Sequence, residues 1–173
     1  VAPFDNDGTV ELRAGTLELQ TDGGLGSTGA ITLGATTRLR TGTGAITLGP
    51  AASVTGPGTL DVISGSLIVP ATATWDVGVT NIWGTLTLDG ERTIGSLALF
   101  GGALTGSGTR TITGSLALYG GTLTGSATTS VAAGASLALA PGGGPTRLTI
   151  AGGHALRIEE GASATWGPTN TDI

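Results

Sequence analysis

The chain contains no cysteine, methionine or lysine, and its aromatic and charged residues are few. Without cysteine, disulfide bonds, thiolate zinc sites and thiol catalysis are excluded. All seven basic residues are arginine, no two are adjacent, and the net charge is -5, so the chain lacks the basic patch that binds nucleic acid. No apolar run approaches the ~20 residues of a membrane-spanning helix. We therefore expect no nucleic-acid partner and no membrane span.

Glycine is the commonest residue, with 33 copies, and the mean hydropathy is +0.31. Disordered chains combine low hydrophobicity with high net charge, so this composition predicts a folded protein. A length of 173 residues is enough for one sizeable core. We predict a single domain over residues 1–173, either complete or a segment of a longer structure.

Internal repeats determine the predicted fold. The segment GSLALFGGALTGSGTRTIT at 95–113 aligns without gaps on GSLALYGGTLTGSATTSVA at 114–132, with 12 identities in 19 positions. Within each unit apolar residues alternate with small polar ones, which is the period of a strand, and glycine interrupts every segment too soon for a helix. The pattern predicts an all-β, parallel β-solenoid of eight or nine rungs, with little or no helix. An antiparallel β-sandwich is the alternative, but it does not require near-identical strands at a fixed offset.

The offset of 19 residues also predicts which side chains stack between neighbouring rungs, about 4.8 Å apart. A dry column of aliphatic residues should form the core, and Phe100 should stack on Tyr119 outside it. The predicted core pairs are Leu97 with Leu116, Leu99 with Leu118, Leu104 with Leu123, and Ile112 with Val131.

Several segments resemble a known group of proteins. FDNDGTVELRAGTLELQ, GPGTLDVISGSLIV, WGTLTLDG and the tandem GSLALFGG and GSLALYGG are similar to the Gly/Thr-rich repeats of large bacterial surface proteins, the filamentous-haemagglutinin and autotransporter-passenger type. The resemblance implies a right-handed β-helix exported to the cell surface or the medium. It also implies a stalk whose binding or catalytic elements are separate insertions. No segment resembles the secretion or head modules of that group.

Candidate chemistry in the sequence is sparse. Asp5-Asn6-Asp7-Gly8 resembles the start of a calcium loop but lacks the later acidic ligands, so a turn entering a strand is favoured. We predict no metal and no cofactor. An enzyme of the carbohydrate-active β-helix type would need paired carboxylates, and no acidic residue occurs between Glu91 and Glu159. The remaining acid–base candidates are Asp61, Asp76, Asp89 and Glu91 with Arg92, while the single histidine, His154, is expected at a surface or corner position.

Two binding hypotheses remain beside a structural one. The three tryptophans, Trp75, Trp83 and Trp166, are candidate glycan-contact residues, although packing under a corner is the commoner role. Thr109, Thr111 and Thr113 form one row of the kind that ice-binding solenoids display, but the aligned residues one rung later are Thr128, Ser130 and Ala132. The row therefore decays instead of repeating.

The ends of the sequence show no capping element. The first residues have the pattern of a strand entry, and GASATWGPTNTDI has the pattern of another rung running into a turn. Open solenoid ends pair with further strands, so we expect the partners to be neighbouring solenoid segments or other copies stacked end to end. The sequence thus predicts a non-catalytic structural or adhesive solenoid, with glycans as further candidate partners. The resemblance to bacterial surface proteins implies that it is extracellular or on a bacterial surface.

Overall fold

The protein is described here as a computed structural model. It describes residues 4–20, 23–25, 28–139 and 147–167. Eighteen strands and no helix occur in these ranges. The strands are β1 Phe4–Asn6, β2 Thr9–Leu12, β3 Thr16–Leu19, β4 Gly23–Leu25, β5 Ala30–Leu33, β6 Arg38–Thr41, β7 Ala45–Leu48, β8 Ser53–Val62, β9 Ser66–Val69, β10 Thr74–Ile82, β11 Thr85–Leu88, β12 Arg92–Thr105, β13 Thr109–Leu123, β14 Thr128–Val131, β15 Ser136–Leu139, β16 Leu148–Ile150, β17 Ala155–Ile158 and β18 Ser163–Trp166.

Over the described ranges the chain coils through three faces, and each face has eight strand segments. Face 1 contains β2, β5, the starts of β8, β10 and β12, the start of β13, then β14 and β17. Face 2 contains β3, β6, the later parts of β8 and β10, the middle of β12 and β13, then β15 and β18. Face 3 contains β1, β4, β7, β9, β11, the ends of β12 and β13, and β16.

Every strand pairing in these faces is parallel, and partners come from successive coils of the chain. The predicted parallel β-solenoid is therefore confirmed, and the antiparallel sandwich is wrong. The physical reason is the repeat itself, because identical side-chain patterns one coil apart bury the same inward positions on top of each other.

The predicted register is confirmed at the duplicated coils. Leu97 pairs with Leu116 and Leu99 with Leu118. The same register pairs Leu104 with Leu123 and Ile112 with Val131. All eight side chains are buried in one core that runs along the axis from Leu12 to Leu137.

Glycine permits the closest approaches between coils at the corners. Gly65 has φ +66, and a Cβ at this position would collide with the carbonyl oxygen of Gly44 in the preceding coil. Only a residue without a side chain can hold this φ at this distance from the neighbouring backbone. Backbone contact between neighbouring coils therefore sets the geometry of this corner, and the strands on either side of it pair in register.

Candidate functional site

The first predicted glycan-contact residue, Trp75, is only 5% exposed. It occupies an inward position of β10, two residues before the buried Val77, and stacks in register on Val54. Strand alternation therefore directs its indole into the core. The prediction of a glycan contact at Trp75 is wrong, and its indole nitrogen has no hydrogen-bond partner.

The second, Trp83, lies at the corner between faces 2 and 3 in a column of stacked aromatic rings. Its ring centroid is 4.4 Å from that of Phe100, with an interplanar angle of 6°. Phe100 stacks in turn on Tyr119 at 4.4 Å and 14°, which confirms the predicted aromatic pair. Sequence reasoning missed Trp83 as the third member, although an aromatic residue followed by glycine marks this corner in all three coils.

This outer aromatic stack, defined as Trp83, Phe100 and Tyr119, limits what the rings can bind. Offset stacking covers ring faces, so both faces of Phe100 are occupied by its neighbours. Trp83 is 40% exposed. A sugar ring packs against the face of an aromatic ring, so the stack offers such a ligand little beyond ring edges and its outermost faces.

The third, Trp166, ends strand β18 and is 82% exposed. It belongs to the inward column of face 2, because its partner in the preceding coil is Leu139 and the one before is Leu118. Its exposure arises at the end of the described coils and not on a flank. The three tryptophans therefore occupy three different environments and do not form one surface.

The acid–base candidates are also dispersed. Asp61 lies on face 2 and is 1% exposed, held by an ion pair to Arg38 at 2.5 Å and a hydrogen bond from Asn81 at 2.8 Å. Asp76 pairs with Thr55 on face 1.

Asp89 and Glu91 lie at the corner after β11 and accept hydrogen bonds from Ser107 and Thr109 of the next coil. Asp61 and Asp76 thus lie on different faces, with Asp89 and Glu91 at a corner. The structure brings no facing pair of carboxylates together from this set.

A group of buried polar side chains, Arg92, Arg110 and His154, lies at the corner between faces 3 and 1 and is called the polar seam. Arg92 donates to the carbonyls of Pro70, Ala73 and Asp89. Arg110 is fully buried and donates to the carbonyls of Leu88 and Thr105, while its Nε and Nη1 have no partner. Burial lowers the pKa of both guanidinium groups, in Arg110 to about 10, and Asp89 partly offsets this.

His154 extends this seam towards the last coil. It is a corner residue as predicted, but it is buried and not on the surface. Its ring is within hydrogen-bond distance of the Thr129 hydroxyl and the Thr124 carbonyl, both at 3.1 Å. Burial lowers the pKa of His154, the Thr124 carbonyl raises it and the charge of Arg110 lowers it. The seam therefore anchors corner carbonyls and is closed to solvent.

The threonine row occurs as the sequence predicted. Thr109 pairs with Thr128 and Thr111 with Ser130, so the row changes character within one coil. Asp5 and Asn6 end β1, and Asp7 and Gly8 form the turn into β2. The Asn6 side chain donates a hydrogen bond to the Gly8 carbonyl and accepts one from the Gly8 N–H.

The two ends of the solenoid expose apolar side chains from inward columns. In the last coil Ile150 and Ile158 are 46% and 47% exposed, beside Trp166. In the first coil Phe4, Val10 and Leu17 are partly buried against the core. Face 1 carries an ion pair within the coil at each end, Glu11–Arg13 at 2.8 Å in the first coil and Arg157–Glu159 at 3.1 Å in the last. Glu18 of the first coil also pairs with Arg40 of the second at 3.2 Å. These ends are the candidate functional surfaces.

Comparison of the chain with protein-family models, with curated proteins and with solved structures gave no match. In the part of the chain that the structure describes, no group of three or more histidine or acidic residues could hold a metal ion. The same residues include no helix that is long and apolar enough to cross a membrane.

Proposed function

We propose that the protein is a structural or adhesive β-solenoid of an extracellular bacterial surface protein or fibre, without catalytic activity. The observation that carries this proposal is the continuous core. Thirty buried hydrophobic residues among those that the structure describes form one cluster along the axis, and the parallel ladders of three faces surround it. Such a fold transmits load through backbone hydrogen bonds and stacked aliphatic side chains, and it leaves few exposed backbone sites for proteases.

The resemblance of the Gly/Thr-rich repeats to bacterial surface proteins supports the location. The main alternative is a carbohydrate-binding or carbohydrate-active β-helix, which the exposed side chains of Trp83 and Trp166 favour. Dispersal of Asp61, Asp76 and Asp89 between faces and a corner weighs against the catalytic form, since glycoside hydrolysis uses two carboxyl groups that face each other across the substrate. An ice-binding role is a minor alternative, and the interrupted threonine row weighs against it.

The extracellular location is tested by applying antibodies raised against the chain to intact cells of its source, and the absence of catalysis by incubating the protein with polysaccharides. We expect labelling of intact cells without permeabilisation, and no release of reducing ends from a panel of acidic and neutral polysaccharides. Labelling only after permeabilisation would overturn the extracellular location. Reducing-end release that disappears in an Asp89→Asn variant would establish the enzyme alternative instead.

A further inference from the structure

The two ends of the solenoid match each other column by column. On face 1 the first coil has Val10-Glu11-Leu12-Arg13, and the last has Leu156-Arg157-Ile158-Glu159. Each inward position is apolar at both ends, and the flanking charges are reversed. The registers place Val10 below Ile31 and Thr129 below Leu156, so both strands continue the same inward column.

The other faces match in the same way. The inward columns of face 2 begin with Leu17 and Leu19 and end with Ala164 and Trp166. One inward column of face 3 begins with Phe4 and ends with Ile150, whereas the other begins with the polar Asn6. A further coil on the last one would therefore bury Ile150, Ile158 and Trp166 in the geometry that the internal coils already use.

We propose that a second copy of this chain stacks head to tail on the first, with its β1, β2 and β3 continuing the ladders of β16, β17 and β18. The proposal rests on the scaffold role above and names its partner and register. Within the described residues β17 is paired with β14 and β2 with β5, which leaves the opposite edge of each strand to receive another strand.

The apolar part of the contact is centred on Trp166. Trp166 would lie over Leu19 of the next copy, because both belong to one inward column. Leu19 is buried in the core, and Phe4 of the same coil packs against it. Tryptophan is among the residues that contribute most of the binding free energy at protein interfaces.

The charges fit the head-to-tail contact. In this stacking Arg157 lies over Glu11 of the next copy, and Glu159 over its Arg13. Both junctions then join opposite charges. A head-to-tail contact uses different surfaces on the two copies, so each addition leaves a new end and the assembly grows as a filament.

The test uses two half-swapped variants. One carries Glu11→Arg with Arg13→Glu, and the other carries Arg157→Glu with Glu159→Arg. Each retains its own ion pair within the coil and the net charge of the chain. The second variant loses the hydrogen bond of 2.6 Å from the Ser130 hydroxyl to Glu159. Circular dichroism and melting temperature therefore verify that both variants fold as the wild type does. Association is measured by sedimentation velocity from micromolar to millimolar concentration.

We expect the wild type to assemble, and each half-swapped variant alone to assemble with a Kd about tenfold higher, since every junction then joins like charges. An equimolar mixture of the two variants should regain the wild-type Kd, because alternating copies restore opposite charges at every junction. Trp166→Ala should raise the Kd about thirtyfold through loss of the aromatic anchor.

Two further outcomes overturn the proposal. A wild type that remains a single copy at every concentration refutes the stacking, while the surface location and scaffold role keep their own test. Assembly that is equal in the wild type and both variants, or a mixture that does not recover, refutes this register and assigns the association to another surface.

Discussion

Buried polar side chains decide much of the local stability at the scale of single residues. Arg92 and Arg110 satisfy corner carbonyls from inside the core, at the cost of desolvating two cations. Thr37 donates to the Gly34 carbonyl at 2.8 Å, whereas the equally buried Thr80 hydroxyl has no partner. The same residue type can therefore stabilise one coil and weaken another.

We predict that Thr80→Val stabilises the protein by about 1 kcal/mol, because it removes an unsatisfied buried hydroxyl without changing side-chain volume. Thr37→Val is the matched control and should destabilise by about 1 kcal/mol through the lost hydrogen bond. Urea denaturation followed by circular dichroism measures both. Equal effects of the two substitutions would contradict the assignment.

Leu116→Asp should destabilise the protein by more than about 3 kcal/mol, because the carboxylate would be buried in the column between Leu97 and Leu137 without a partner. Ala117→Asp places the same charge at the adjacent outward position and should cost less than about 1 kcal/mol. Thermal melting of the pair is the measurement. An unchanged melting temperature in Leu116→Asp would refute the register.

The stability of the last coils should depend on the protonation of His154. Burial lowers the pKa of His154 below its ordinary value of 6.5, so the unfolded chain takes up the proton more readily than the folded one. Stability contributed by the neutral ring is thus complete above pH 6.5 and falls as the pH drops below it towards the folded-state pKa. The free energy of unfolding is measured for the wild type and for His154→Gln at pH 8 and pH 5. The wild type should exceed the variant by more at pH 8 than at pH 5. A constant difference between the two would contradict this.

At the scale of structural elements, the corners and the aromatic stack hold successive coils together. The outer aromatic stack of Trp83, Phe100 and Tyr119 ties three successive coils together at one corner. Glycine lets the chain turn against the neighbouring coil both at this corner, where Gly65 lies one coil before Trp83, and at the corner between faces 1 and 2, where Gly134 lies. Both have positive φ, but a Cβ at Gly65 would meet backbone atoms whereas one at Gly134 would meet nothing within 4 Å.

Gly65→Ala should therefore cost about 3 kcal/mol, from the φ strain and from the forced separation of two coils. Gly134→Ala keeps the φ strain alone and should cost about 1 kcal/mol. Chemical denaturation of both variants separates the two contributions. Equal losses would show that coil separation at this corner is not limiting.

At the scale of the whole molecule, stability is distributed along one axis. Each coil contacts only its neighbours, so an internal coil is packed on two sides and an end coil on one. The exposures of Ile150, Ile158 and Trp166 reflect that difference in the last described coil.

Amide hydrogen exchange should follow this gradient. We expect peptides from residues 148–166 to exchange well before those from residues 85–118, since opening an end coil breaks only one set of ladders. Mass spectrometry at low protein concentration measures the order. Uniform exchange along the chain would indicate all-or-none opening instead of fraying from the ends.

The sequence by itself determined the class of fold and part of its register. Alternating apolar residues with glycine at the turns specify strands, and a gapless 19-residue repeat specifies that Leu97 stacks on Leu116. The inward position of Arg110 was not predicted, although it follows from the alternation with Ile112 two residues later. These features follow from local periodicity, which needs no coordinates.

The tertiary structure decided where coils of unequal length meet. It alone showed that Trp75 is inward, that Trp83 joins Phe100, and that Asp61 is buried with Arg38. Corner lengths vary from coil to coil, so the column to which a residue belongs depends on all the turns before it. The opposed charges of the two ends became visible for the same reason, only after every column had been followed from the first coil to the last.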